Sequence, residues 1–246
     1  MKVLLNGAKG RMGQTLIRLA PEHGVEFSPC LDAGDALPSS LNGLDGVVDF
    51  SHHTATPPLA DLCAENRVPL LIGTTGHNAE ERARIEEAAK RCAVLWSGNY
   101  SVGVNLLFWL TRRAAEILDA SYEAEVLEMH HRHKKDAPSG TAENLVEAIR
   151  EARSLSAGVV RHGREGITGE RPRDEIGVHA VRGGEIVGEH TVFFISPQDR
   201  VELTHRASDR AIFAAGALRA IRWVADKTPG IYRMEDVLGL RGKQSP

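Results

Sequence analysis

Met1-Lys-Val-Leu-Leu-Asn-Gly-Ala-Lys-Gly-Arg-Met-Gly13 brings three features together at the start of the chain. Lys2 to Asn6 has the apolar character of a short buried strand. Gly7, Gly10 and Gly13 follow at equal spacing. From Met12 onward, Met12, Leu16, Ile17 and Ala20 recur at helical intervals until Pro21 stops the pattern. Strand, three-glycine turn and helix make the pattern of a dinucleotide-binding fold. The glycines let the backbone approach a pyrophosphate, and the helix start supplies free N–H groups and positive dipole. The spacing Gly-x-x-Gly-x-x-Gly is a variant of the usual fingerprint, and Lys9 and Arg11 add positive charge beside it.

The following segments extend this pattern. A second strand, Val25 to Leu31, ends in Asp32, about 20 residues beyond the turn, where an acid binds the adenosine ribose hydroxyls. Ala33, Gly34 and Asp35 come next, with no Arg to receive a 2′-phosphate, so NADH is favoured over NADPH. Strands are then predicted at 46–50, 69–72 and 94–96, with helices at 58–66 and 79–91 between them. Their C-terminal ends carry Gly73-Thr-Thr-Gly76 and Ser97-Gly-Asn-Tyr100, small polar loops suited to line the crevice of an open parallel sheet. Gly73, Thr74, Thr75 and the 97–100 loop are therefore expected at the nicotinamide half of the cofactor. His52 and His53 read as turn residues with a local capping role.

From residue 102 the rhythm changes. A helix at 102–118 leads to a strand at 122–131, a helix at 139–150, and an aperiodic Gly- and Arg-rich segment at 158–174. Three strands follow at 176–181, 186–194 and 201–206, separated by Arg182-Gly-Gly-Glu185 and Ser196-Pro-Gln-Asp-Arg200, which read as hairpin turns of a meander. A last helix, 209–225, returns the chain to the first domain. The predicted fold is α/β: a Rossmann-like parallel-sheet dinucleotide-binding domain (1–101 and 210–246) plus a smaller α+β domain (102–209) with a mainly antiparallel sheet. Val187, His190, Val192, Phe193 and Phe194 look more apolar than one helix can cover. They imply either a subunit interface or a deeper core under the long loop.

The chemistry concentrates in Glu128-Met-His-His-Arg-His-Lys-Lys-Asp-Ala-Pro-Ser-Gly-Thr141. Three His, one Arg and two Lys lie between positions 130 and 135, just before a hydroxyl-rich helix start. Cations followed by such a start form a receptor for a small carboxylate or phosphate. A solvated basic loop plus an ordinary N-cap has the same composition, and both readings stand at this point. The net charge of −3 gives no global attraction to nucleic acid or anionic membrane. Cys30, Cys63 and Cys92 lack a Cys-x-x-Cys spacing and read as reduced thiols. With no signal peptide or long apolar span in view, a cytoplasmic protein is expected.

Gly7-Ala-x-Gly-Arg-Met-Gly13, Gly73-Thr-Thr-Gly76, Asn99-Tyr-Ser-Val-Gly-Val-Asn105, and above all His130-His-Arg-His-Lys-x-Asp-Ala-Pro-Ser-Gly-Thr141, resemble the 4-hydroxy-tetrahydrodipicolinate reductase family. Gly188-Glu-His-Thr191 and Leu203-Thr-His-Arg-Ala207 fit the same pattern, so the resemblance spans nearly the whole chain. It implies an enzyme of diaminopimelate and lysine biosynthesis that dehydrates a cyclic hydroxy-dicarboxylate and reduces it with NADH or NADPH. It also implies His130 as the catalytic His and Lys134 as a second proton donor, with His131, Ser139, Gly140 and Thr141 holding the substrate. Gly7, Ala8, Lys9, Gly10, Arg11, Met12, Asp32, Gly73, Thr74, Thr75, Ser97, Gly98, Asn99 and Tyr100 would hold the cofactor. Members are usually homotetramers joined through the sheet of the second domain. Asp32-Ala33 departs from the acid-Arg pair of many members, which weakens the expectation of NADPH use. Arg132, His133 and Lys135 receive no role. Rival readings are a metal-dependent hydrolase using His130, His131 and His133, a non-catalytic nucleotide sensor, and a different dehydrogenase on the same plan. The first is disfavoured because alternation on a strand turns His130 away from the other two and no acid stands nearby as a base; no metal site is expected.

Overall fold

The strand Lys2–Asn6 (β1) buries Val3, Leu4 and Leu5 completely, which identifies it as a central strand covered on both faces. The glycine turn leads into helix Arg11–Leu19 (α1), and Pro21 lies in the 3₁₀ turn Ala20–His23 that closes it. Next come β2 (Glu26–Leu31), β3 (Gly46–Asp49), α2 (Thr56–Asn66), β4 (Leu70–Ile72), α3 (Ala79–Ala88) and β5 (Ala93–Trp96). They are followed by α4 (Val102–Ile117), β6 (Glu123–His130), α5 (Gly140–Ala152), β7 (Val160–His162), β8 (Ile176–Arg182), β9 (Gly188–Ile195) and β10 (Arg200–Ala207). The chain finishes with α6 (Ala211–Val224), β11 (Gly230–Tyr232) and α7 (Met234–Val237). This computed structural model describes residues 1–241, and the chain divides into two compact units, Met1–Val102 with the residues from Ala211 onward, and Gly103–Arg210.

In the first unit six parallel strands run in the order β11-β5-β4-β3-β1-β2. The chain leaves β1 for β2 on one side and later enters β3 on the other, so the strand order reverses at β1/β3, where such sheets open a ligand crevice. Leu16, Ala217, Ile221 and Val224 join one core that includes the α1 and α6 faces, and Leu59, Cys63, Ile85 and Ala88 join the other with α2 and α3. The edge strand β11 and helix α7 were not expected from sequence; three residues of strand and four of helix carry too little periodicity to stand out.

The second unit holds a five-stranded mixed sheet, β10-β9-β6-β8-β7. Here the structure corrects the predicted meander. Ser196–Arg200 does close a β9–β10 hairpin, but β8 and β9 are not neighbours; β6 lies between them, antiparallel to β9 and parallel to β8. The Gly183-Gly184 turn crosses the end of β6, its amide and carbonyl pairing with the His130 carbonyl and the Arg132 amide. A Gly-Gly turn suits a hairpin and such a crossing equally, so the local sequence does not separate them. Part of the segment predicted as loop forms β7, a short strand parallel to β8.

The apolar surplus expected on β9 resolves by alternation. Val192 and Phe194 are fully buried against Leu145 and Ile149 of α5 and Leu107 of α4, and His190 lies buried on their face. Phe193, half-buried, occupies the opposite face with Glu189 and Thr191. Arg164 and Arg171 of the 163–174 loop bind Glu125 on that opposite face of β6 at 2.8 and 3.1 Å, and both also engage Glu175.

Candidate active site

In the first unit the glycine turn is dictated by space. Gly7 has φ +88°, and a Cβ there would stand 2.2 Å from the Phe50 carbonyl oxygen; one on Gly13 would stand 2.2 Å from the Gly7 carbonyl oxygen. The α1 N-terminus has neither a side-chain cap nor an acid in its first turn, so its dipole is not countered from within. Asp32 follows β2 and reaches the same turn. Its carboxylate accepts from the Lys9 amide at 2.6 Å and the Ala33 amide at 2.8 Å, and these bonds hold it below the ordinary carboxylate range. Gly7, Ala8, Lys9, Gly10, Arg11, Met12 and Asp32 thus gather around one helix start.

The β3 and β4 ends are organised by a residue that sequence reading did not single out. Asp49, fully buried, accepts from Asn6 (3.0 Å), Thr56 (2.6 Å), Thr74 (3.0 Å) and Ser51. The Thr74 hydroxyl also accepts the Ser51 amide at 2.9 Å, so Thr74 ties the two loops together from beneath. The Phe50 ring occupies the space where a Gly73 side chain would lie, and Thr75 is exposed. Ser97, Gly98 and Asn99 form a tight turn in which the Ser97 hydroxyl donates to the Asn99 carbonyl at 2.8 Å. Tyr100 differs from the rest. Its hydroxyl points into the core toward the carbonyls of Ile72 (2.8 Å) and Leu95 (3.1 Å), and burial pushes its phenol well up. The Tyr100 side chain therefore braces β4 and β5. His52 caps a 3₁₀ turn, as its neighbours implied, whereas His53 pairs with Glu81 at 2.8 Å.

The second unit builds its site around β6. Alternation puts Ala124, Val126, Glu128 and His130 on the face that packs under the helices. Glu128 is fully buried and saturated. It receives Arg182 through both guanidinium nitrogens (2.8 and 2.7 Å), the Ser139 amide (3.1 Å) and Nδ1 of His130 (2.5 Å). Burial opposes its charge, but the Arg182 and His130 bonds outweigh that and hold the carboxyl below its ordinary range. Burial also pushes the His130 imidazole down, against the pull of Glu128. Ser139 caps α5, its hydroxyl receiving the Ala142 amide at 3.3 Å and lying 3.1 Å from Nε2 of His190. Buried His190 is pushed down to about 4 and meets the His130 ring edge to face at 5.2 Å.

Gly140 and Thr141 open the helix beside this frame. The Lys134 ammonium binds Asp136 at 2.8 Å. His131 pairs through Nε2 with Arg210 at 3.0 Å, and exposed His133 lies 3.4 Å from Glu185. Arg132 and Lys135 are exposed. The three histidines thus have three separate partners, and among the described residues no group of His, Cys, Asp or Glu is arranged to hold a metal ion. The expectation that no acid stands near these histidines is corrected by Glu128. Its signal was present: on a strand, positions 128 and 130 share a face. Arg182 and His190 had no local signal, because only the sheet brings them within reach.

Two family models match in order: dihydrodipicolinate reductase, N-terminus, over residues 1–100, and dihydrodipicolinate reductase, C-terminus, over residues 103–238. The chain is 49% identical over 248 residues to the 4-hydroxy-tetrahydrodipicolinate reductase of Akkermansia muciniphila, covering 98% of both. It is 46% identical over 266 residues to that of Anaeromyxobacter dehalogenans, again covering 98% of each. The dipicolinate-bound dihydrodipicolinate reductase from Paenisporosarcina sp. TG-14 superposes with a TM-score of 0.76 at 24% identity, covering 95% of this chain and 97% of that one. A diaminopimelate dehydrogenase of C. glutamicum shares the fold at a TM-score of 0.55 and 12% identity, over 100% and 96% of the two chains.

Proposed function

The chain belongs to the dihydrodipicolinate reductase family, and we propose on that premise how its own residues serve the reaction. It is an oxidoreductase of diaminopimelate and lysine biosynthesis. It takes 4-hydroxy-tetrahydrodipicolinate, releases water, and reduces the ring with a nicotinamide cofactor to tetrahydrodipicolinate. The observation that carries the assignment is identity of up to 49% maintained across 98% of the chain, which includes both the glycine turn and the 128–141 site.

The first unit suits a dinucleotide. Gly7 and Gly13 leave no room for a side chain, and the uncapped α1 start with Lys9 and Arg11 offers donors and charge to a pyrophosphate. Gly7 to Met12 would hold the phosphates, Asp32 the ribose, and Gly73 to Thr75 with Ser97 to Tyr100 the nicotinamide end, Tyr100 through its backbone. When bound, the cofactor supplies the hydride. An ionised carboxylate at Asp32 with Ala33 after it repels a 2′-phosphate, so NADH is the preferred donor.

In the second unit a dicarboxylate needs fixed donors, and His131, Ser139, Gly140 and Thr141 provide them around the α5 start. Ser139 acts mainly by anchoring that start, since its amide and hydroxyl already serve Glu128, Ala142 and His190. His130 and Lys134 handle protons. The protein works in the cytoplasm as a homotetramer joined through the face of the second sheet opposite α4 and α5, where Leu127, Met129, Val181 and Phe193 lie among charged groups.

The decisive assay follows NADH and NADPH oxidation with freshly made product of the preceding synthase, beside other keto and imino acids. Rapid oxidation is expected with the synthase product alone. If neither cofactor is consumed, the functional reading is wrong.

A further inference from the structure

The Glu128 carboxylate is buried yet ionised, because Arg182 grips both its oxygens. An ionised carboxylate can only accept hydrogen bonds. The 2.5 Å bond to Nδ1 of His130 therefore places the ring proton on Nδ1 and leaves Nε2 with a lone pair in the neutral imidazole. The groups facing the ring are Glu128 on its own strand, Arg182 from β8, His190 from β9 and Lys134 from the following loop. His190 is itself uncharged at neutral pH, so it adds no charge beside the His130 ring. Arg182 also donates to the Asp136 carbonyl at 2.7 Å, and Asp136 holds Lys134 at 2.8 Å. One guanidinium thus steadies both the His130 and the Lys134 supports.

We propose that Glu128, clamped by Arg182, is a positioning residue that presents His130 to the substrate as a proton acceptor at Nε2, leaving Lys134 as the donor. The inference rests on the substrate assigned above. That substrate is a cyclic imine with its C=N bond to C6 and a hydroxyl on C4, so a C5–H bond is acidified by the adjacent imine. Nε2 takes the C5 proton, the C4–O bond breaks, and the Lys134 ammonium protonates the departing hydroxide to water. The ring now carries C4=C5 conjugated with C=N. C4 accepts a hydride, the electron pair moves through C5=C6 to nitrogen, and the His130 imidazolium returns its proton to C5, restoring the imine. One hydride and one solvent proton, through Lys134, are consumed and one water is released, so the sum balances. His130 ends as it began.

Two measurements test this. In the full-length protein labelled with ¹⁵N-histidine, with His130→Asn to assign the signal, His130 should be neutral and protonated on Nδ1 near neutral pH. An imidazolium, or a proton on Nε2, would overturn the proposal, and this holds even if no Glu128 variant folds. Glu128→Gln should lower kcat by about 10²-fold with little change in KM. Because the variant lacks the charge that favours imidazolium, the acid limb of its kcat/KM profile should move to lower pH. A limb that stays in place, or an alkaline limb that moves instead, would show His130 to be structural or an initial acid. The NMR result is independent of turnover, so it stands apart from any failure of the assay that tests the substrate assignment.

Discussion

Glu128 and Asp49 are both wholly buried carboxylates, and they illustrate two ways to keep such a group. Asp49 has only neutral donors, from Asn6, Ser51, Thr56 and Thr74, and joins two crevice loops. Glu128 has a guanidinium and an imidazole, and so fixes the ring on which the proposed proton transfer depends. At this scale, His130→Ala and Lys134→Ala should each lower kcat by on the order of 10²–10⁴-fold while NADH affinity, measured by fluorescence titration, survives. Equal loss of cofactor affinity in both would contradict their assignment to the substrate half. Asp32 makes a separate prediction. Ala33→Arg should supply the missing partner for a 2′-phosphate and lower KM for NADPH roughly tenfold relative to NADH. An unchanged ratio would remove Asp32 from the ribose end of the cofactor.

Among the elements, β6 carries most of the second unit. One of its faces bears Glu128 and His130, and the other bears Glu125, the anchor of the 163–174 loop. Burial disfavours the Glu125 charge, but Arg164, His179 and Arg171 together bring its carboxyl down to about 2, against 4.5 for a free one. A depressed folded value means that the contribution is complete above about 4.5 and lost as pH falls toward about 2. It is worth up to about 3 kcal/mol at neutral pH. Denaturant unfolding of Glu125→Gln should therefore show lower stability at neutral pH and a flatter dependence between these limits. Equal acid sensitivity in both proteins would shift the effect to other carboxylates. The β8–β9 link belongs here too. Residues 182–185 have hairpin chemistry, yet they carry the chain across β6, because strand order depends on which partners bury their faces together.

For the whole molecule, the alternating strand pattern on β9 gives one face to α4 and α5, while the other, with half-buried Glu189 and Phe193, is shared with the 163–174 loop. Burying the part of that face which the loop leaves uncovered between copies is the proposed basis of the tetramer. Sedimentation velocity at assay concentrations should give a tetramer, and a stable monomer would refute it. The parallel-sheet unit was legible because Lys2–Leu5, the Gly7–Gly13 turn and the 46–96 alternation are local patterns, each set by backbone sterics and hydrophobic period. The 128–141 cluster was visible for the same reason, as composition within one short segment. Local pattern alone could not find Asp49 as the hub of two loops, turn Tyr100 into the core, or insert β6 between β8 and β9. Nor could it bring Arg182 and His190, more than fifty residues away, to the Glu128–His130 pair. Those outcomes depend on which distant groups share a buried site, where each charge and polar atom must find a partner as the core closes.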